Sequence, residues 1–193
     1  DDATVYWETV PSQHLPLALW LEADRMASLD VSEDKFRTEL DVVKEERRMR
    51  FENQPFGLLS EIIFDKAFTT HPYKHQTIGS MADLEQASIG DVRAFHDTYY
   101  VPNNATLALA GDFDQTQAAA LVAQYLGAVP RGKPVPRDIP AEPAHTAEAR
   151  FTVTEPWPLP AVVVSYHITY DGHPDSYPLH VLSKILSDGD SSR

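Results

Sequence analysis

At 193 residues and 42% hydrophobic content, the chain is long enough for one core and part of another. A net charge of −13 argues against nucleic acid or an anionic membrane as partner, and leaves room for basic peptides. The absence of cysteine excludes disulfides and thiol catalysis, and no apolar run approaches the length of a membrane span.

Residues 4–10 alternate as a strand does. Ser12 can cap a helix reaching about residue 29, with Leu15, Leu19, Glu22, Met26 and Leu29 on one side and Trp20 and Leu21 elsewhere. That near-total apolarity predicts a buried helix. Trp7, Trp20, Tyr99 and Tyr100 read as core rather than as a ligand cage.

The next helix opens at Ser32, with Glu33 and Asp34 in its first turn and Phe36, Leu40 and Val43 at helical spacing. At about 100° per residue, Glu39 and Glu46 fall within roughly 20° of each other on the flank of the apolar stripe. Glu45 points away from it. A carboxylate at the margin of a core needs a partner, and periodicity alone favours an arginine. Arg47, Arg48 and Arg50 read as i,i+4 pairing on a solvated face.

A helix over residues 58–64 and a loop over residues 71–80 follow. Ser88-Ile-Gly-Asp91 is a capping signal for a helix over residues 92–100, which Pro102 stops. Asn103 and Asn104 turn the chain into a strand over residues 106–110, and a helix over residues 115–126 comes next. Between Gly127 and Arg150 the composition shifts to five prolines and few apolar residues, which predicts an extended connector and the preferred site of proteolytic nicking. Residues 151–154 and 161–168 read as strands, and residues 176–187 as a helix. Gly189 suits a helix end better than the calcium loop that Asp188-Gly-Asp190 superficially suggests. Strand, helix cluster, strand and helix in this order predict an α+β layer fold.

Glu39-Leu-Asp-Val-Val-Lys-Glu-Glu46, with Pro55-Phe-Gly57 after it, resembles the downstream zinc-ligand segment of the M16 metallopeptidases, the pitrilysin, insulysin and mitochondrial processing peptidase family. The resemblance continues in family order through Leu19-Trp-Leu-Glu-Ala-Asp-Arg-Met26, His71-Pro-Tyr73, Ile78-Gly-Ser80, Tyr99-Tyr-Val-Pro-Asn-Asn104, Ala110-Gly-Asp-Phe113 and Ile185-Leu-Ser-Asp-Gly-Asp-Ser-Ser-Arg193. It implies a sheet packed against a cluster of helices. Residues 1–127 would be the C-terminal part of a first M16-like domain, residues 128–149 the connector, and residues 150–193 the start of a second similar domain.

The family's zinc is held by a His-x-x-Glu-His motif on an upstream helix and by a glutamate that matches Glu46. Glu39 matches a carboxylate that supports the site without binding the metal. Two imidazoles and a carboxylate leave a fourth position for water, and the motif's glutamate takes a proton from it. This sequence contains no His-x-x-Glu-His. His145-Thr-Ala-Glu148-Ala149 lacks the second histidine, and in His71-Pro-Tyr-Lys-His75 the proline is poorly placed for a ligand-bearing helix. His14, His96, His167, His173 and His180 are scattered, and read as surface or packing.

The motif is therefore expected upstream of Asp1, and Ser191-Ser-Arg193 stops inside a family motif, so the chain is expected to be an internal fragment. It would carry one metal ligand and no general base, and be inactive by itself. The resemblance implies a parent zinc endopeptidase that uses Zn2+, takes peptide or unfolded polypeptide substrates, and is completed by a second M16-like domain or a partner chain. Two alternatives remain open: a non-catalytic M16 homologue serving as a structural or substrate-binding subunit, and a self-sufficient peptide-binding module.

Overall fold

Local signals place the helices. In the computed structural model, which describes residues 3–189, α1 is Leu15–Ala27, α2 Glu33–Arg47, α3 Leu59–Ala67, α4 Met81–Gln86, α5 Ile89–Tyr99, α6 Gln115–Leu126 and α7 Ser176–Ser187. Ser88 and Asp91 form the expected reciprocal capping box at the start of α5. An identical arrangement of Ser80 and Asp83 starts α4, a helix the sequence reading left out although Ser80-Met-Ala-Asp83 carries the same signal. Asp188 ends α7, and Gly189 follows in the left-handed region at φ 78°. Asp190 and the Ser191-Ser-Arg193 end of the last motif lie outside the described residues.

The expected α+β fold, a sheet packed against helices, is corrected: no strand occurs among the described residues. Alternating side chains make a segment suitable for a strand, but only a second strand accepting and donating its backbone hydrogen bonds makes it one. Residues 4–10, 106–110, 151–154 and 161–168 have no such ladder. Most of their large apolar side chains stay in solvent, with Trp7 79% and Val162 94% exposed, while Leu109 is half-buried.

The chain forms two compact units, Asp1–Asn53 with Gln76–Ile139, and Gln54–His75 with Pro140–Arg193. In the first unit α1 packs on α6, burying Leu19, Ala23 and Ala118, where the two alanines permit close approach of the backbones. The prediction of a helix buried all round is corrected, because Leu17, Trp20 and Leu21 form a second apolar face that is exposed. Trp7 and Trp20 are therefore not core, and Tyr99 is also exposed.

Segment 4–10 is held by side chains instead of a ladder. The Tyr6 and Tyr100 hydroxyls meet at 2.5 Å, and the Arg25 guanidinium lies 4.1 Å from the centre of the Tyr6 ring. Arg25 also forks onto Glu22 at 2.7 and 2.9 Å and reaches Glu8 at 3.5 Å. Burial and the bond to Tyr6 push the Tyr100 hydroxyl up to about 12.

The connector is stapled at its start. Gly132 donates its N–H to Asn103 Oδ1 at 2.8 Å, and Asn103 Nδ2 donates to the Lys133 carbonyl at 3.1 Å. A Cβ on residue 132 would sit 2.3 Å from the Val101 side chain, so only glycine fits. Arg137 donates to Asn104 Oδ1 at 3.2 Å.

In the second unit, Glu142 plugs the turn after α3. Its Oε1 accepts the Thr69 N–H and hydroxyl at 2.8 and 2.6 Å, and its Oε2 accepts the N–H groups of Thr70 and His71 at 2.9 Å each. With residues 132–142 tethered, limited proteolysis is expected to cut first within residues 143–149. A first cut inside residues 132–142 would mean that these hydrogen bonds do not hold in solution.

Partial burial pushes the Glu142 pKa up, but the Thr69 hydroxyl and the N–H groups of His71, Thr70 and Thr69 outweigh it and hold the carboxyl well below its usual range. Because the folded value is depressed, the tether is fully present above the unfolded value of about 4.3 and is lost as pH falls through the folded one. The Thr69–His71 amide resonances in NMR spectra are therefore expected to stay in place as pH falls through the ordinary carboxylate range near about 4, and to shift only at pH well below it, as the folded carboxyl protonates. Glu142→Gln should show the released spectrum at neutral pH; an unchanged spectrum would mean that the carboxylate does not hold this turn.

Candidate metal-ligand site

Helix α2 carries both carboxylates singled out from the sequence. Ser32 takes the N-cap position with extended backbone, and Glu33 and Asp34 sit in the first turn, where they favour the positive end of the helix. Glu39 is exposed. Glu46 is half-buried near the C-terminal end of the helix, and its Oε1 lies 2.8 Å from Arg50 Nη1. The arginine partner that periodicity called for is therefore present. Glu45 faces solvent and pairs with Arg48 at 3.2 Å.

Arg47 departs from expectation. It is only 5% exposed, not part of a solvated face, and it donates from Nη1 to the Gly79 carbonyl at 2.8 Å. Its Nε lies 3.3 Å from Glu52 Oε1. Directly after α2 the backbone widens into a π turn over Arg48–Glu52, closed by the Asn53 N–H on the Arg48 carbonyl at 2.8 Å. Three clustered arginines look alike in sequence, and nothing local marked Arg47 as the buried one.

His71 and His145, the leading histidines of the two segments that fall short of the zinc motif, are otherwise engaged. His71 Nδ1 accepts the Tyr73 N–H at 3.1 Å, at the start of a 3-10 turn over Pro72–Lys74. His145 stacks on His167 with ring centres 4.3 Å apart, and its Nε2 lies 3.4 Å from Glu142. His167 Nε2 meets the Ala67 carbonyl at 2.6 Å. Among the described residues no three His, Asp or Glu side chains converge as a metal site. No helix among them is long and apolar enough to cross a membrane.

These helices and motifs match known proteins along the chain. Residues 86–193 match the family model described as the peptidase M16 inactive domain. The zinc protease PqqE of Helicobacter pylori is 32% identical over 99% of this chain and 44% of its own length. The chain belongs to the M16 peptidase family. The crystal structure of a protease from Helicobacter pylori superposes with a TM-score of 0.75 at 29% identity, covering 93% of this chain and 44% of that one. The first half of the periplasmic protease PqqL from Escherichia coli shares the fold, with a TM-score of 0.60 at 21% identity over 72% of this chain and 30% of that one. The chain thus spans less than half the length of the relatives it matches. Glu39 and Glu46 lie outside the residues matched by the family model.

Proposed function

We propose that this chain is part of a longer zinc-dependent endopeptidase in which Glu46 supplies one metal ligand and Glu39 supports the site without touching the metal. The observation that carries the reading is the setting of Glu46. It is a half-buried carboxylate whose partner, Arg50, is a 71% exposed arginine one turn on. Surface i,i+4 pairs of this kind contribute about 0.3–0.5 kcal/mol, so a cation can replace the arginine at little cost. A carboxylate oxygen is also a donor that zinc accepts beside imidazoles.

The fit extends to one ligand position. The described residues bring no two imidazoles and no general base to Glu46, so the chain by itself is expected to be inactive. When bound, zinc would activate the water that hydrolyses a peptide bond. The same reading takes residues 1–127 as part of a first M16-like domain, 128–149 as the connector and 150–193 as the opening of a second. A second M16-like domain or partner chain would complete the protein, and peptides or unfolded polypeptides would be its substrates. The description of the matching family model as an inactive domain supports a second reading, a non-catalytic homologue with a structural or substrate-binding role.

Calorimetry and peptide cleavage separate these readings. The 193-residue chain should bind no zinc tightly at one-to-one stoichiometry and cleave nothing, whereas the full-length protein should do both and lose cleavage to a chelator. A full-length protein without zinc would establish the non-catalytic reading. Tight stoichiometric zinc on the short chain would overturn the assignment of a single ligand to it.

A further inference from the structure

Arg47 is the one buried charged residue among those described, and it is the immediate neighbour of Glu46. Burying a guanidinium costs several kcal/mol unless its hydrogen bonds are met, so its position is set by specific partners. One is the carbonyl of Gly79, a residue in the left-handed region at φ 77° just before the Ser80 cap of α4. Another is Glu52, five residues along the same chain, whose carboxylate meets the guanidinium as an ion pair at 3.3 Å. Residues five apart point to different sides of an α-helix, whereas the i→i+5 spacing of a π turn brings them closer. The π turn over Arg48–Glu52 is therefore what carries Glu52 round to Arg47.

We propose that Arg47 is a positioning residue for Glu46. Its guanidinium ties the end of α2 to the loop before α4 and, across the π turn, to Glu52. It thereby fixes the rotation and height at which the helix presents the Glu46 carboxylate. Arg47 acts through the backbone of α2, since the contact of Glu46 is with Arg50. A helix end free to rotate would swing the Glu46 carboxylate away from the position where it would hold a metal. The proposal rests on the reading of Glu46 as a zinc ligand.

The test uses the full-length protein and measures its zinc dissociation constant by competition with a chromophoric chelator, together with the visible spectrum of the cobalt-substituted form. Arg47→Gln should weaken zinc about 10–100-fold and alter the cobalt bands, the range typical for partners that orient a ligand. Arg47→Lys should recover part of the loss, because an ammonium still reaches the Gly79 carbonyl but lacks the planar fork that also spans to Glu52. Glu52→Gln, at a half-exposed position where folding is little threatened, should weaken zinc in the same direction and shift the same bands. If Arg47→Gln fails to fold, Glu52→Gln decides. Wild-type zinc affinity and cobalt spectrum in Glu52→Gln and in any folded Arg47 variant, while Glu46→Gln loses its metal, would overturn the proposal and leave the ligand reading standing. Zinc retained by Glu46→Gln would instead sink the ligand reading, and this proposal with it.

Discussion

Replacing Glu46 by glutamine is expected to strip zinc from the full-length protein and abolish peptide cleavage. A neutral amide oxygen is a poorer zinc donor than a carboxylate, and zinc sites lose affinity steeply when an anionic ligand is neutralised. Glu39→Gln should behave differently. Glu39 sits two turns earlier on α2, where it can orient a ligand or a nearby donor, so its loss should cost about 10–100-fold in activity while most of the zinc is kept at saturating metal. Glu45→Gln should do little, since Glu45 faces solvent and engages only in a surface pair with Arg48. Metal content and turnover on the three variants decide the assignment. Zinc lost from Glu45→Gln and retained in Glu46→Gln would place the ligand at Glu45 and overturn the helical register.

Leu19→Ala is expected to be the most destabilising single change in the helical part of the first unit. Leu19 is 1% exposed and is the largest fully buried side chain among the described residues. It lies where α1 packs on α6, beside the small residues Ala23 and Ala118. Truncation there removes buried methyl groups, and close-packed helices relax only partly into the space. Leucine-to-alanine changes in such sites cost about 2–5 kcal/mol. Trp20→Ala on the exposed side of the same helix should cost much less. Urea denaturation followed by circular dichroism measures both. A loss below about 1 kcal/mol for Leu19→Ala would show that the α1–α6 pair is not the cohesive centre of the unit.

The candidate site was legible only in part. Spacing alone placed Glu39 and Glu46 on one flank of a helix and asked for an arginine, and Arg50 fills that place. The roles at zinc proposed for them rest on resemblance, because one carboxylate beside an arginine carries no metal signature of its own. Arg47 was unreadable for another reason. Its burial depends on the Gly79 carbonyl, 32 residues away, and on a π turn that no local propensity announces.

What the sequence determined by itself is the set of helices, because the features that make them are local. Side-chain caps act within three residues, apolar stripes repeat every turn, and proline and glycine act where they stand. α6 and α7 follow the predicted limits, and α5 starts at its predicted cap. Tertiary structure alone decided the fate of the extended segments. Residues 4–10 and 161–168 have strand-like patterns, but pairing is a property of two segments and neither pattern specifies a partner. Tyr6 and Arg25 hold the first against helices instead. Glu142 was likewise silent in a proline-rich stretch, since a carboxylate becomes an anchor only when folding turns three N–H groups and two hydroxyls toward it.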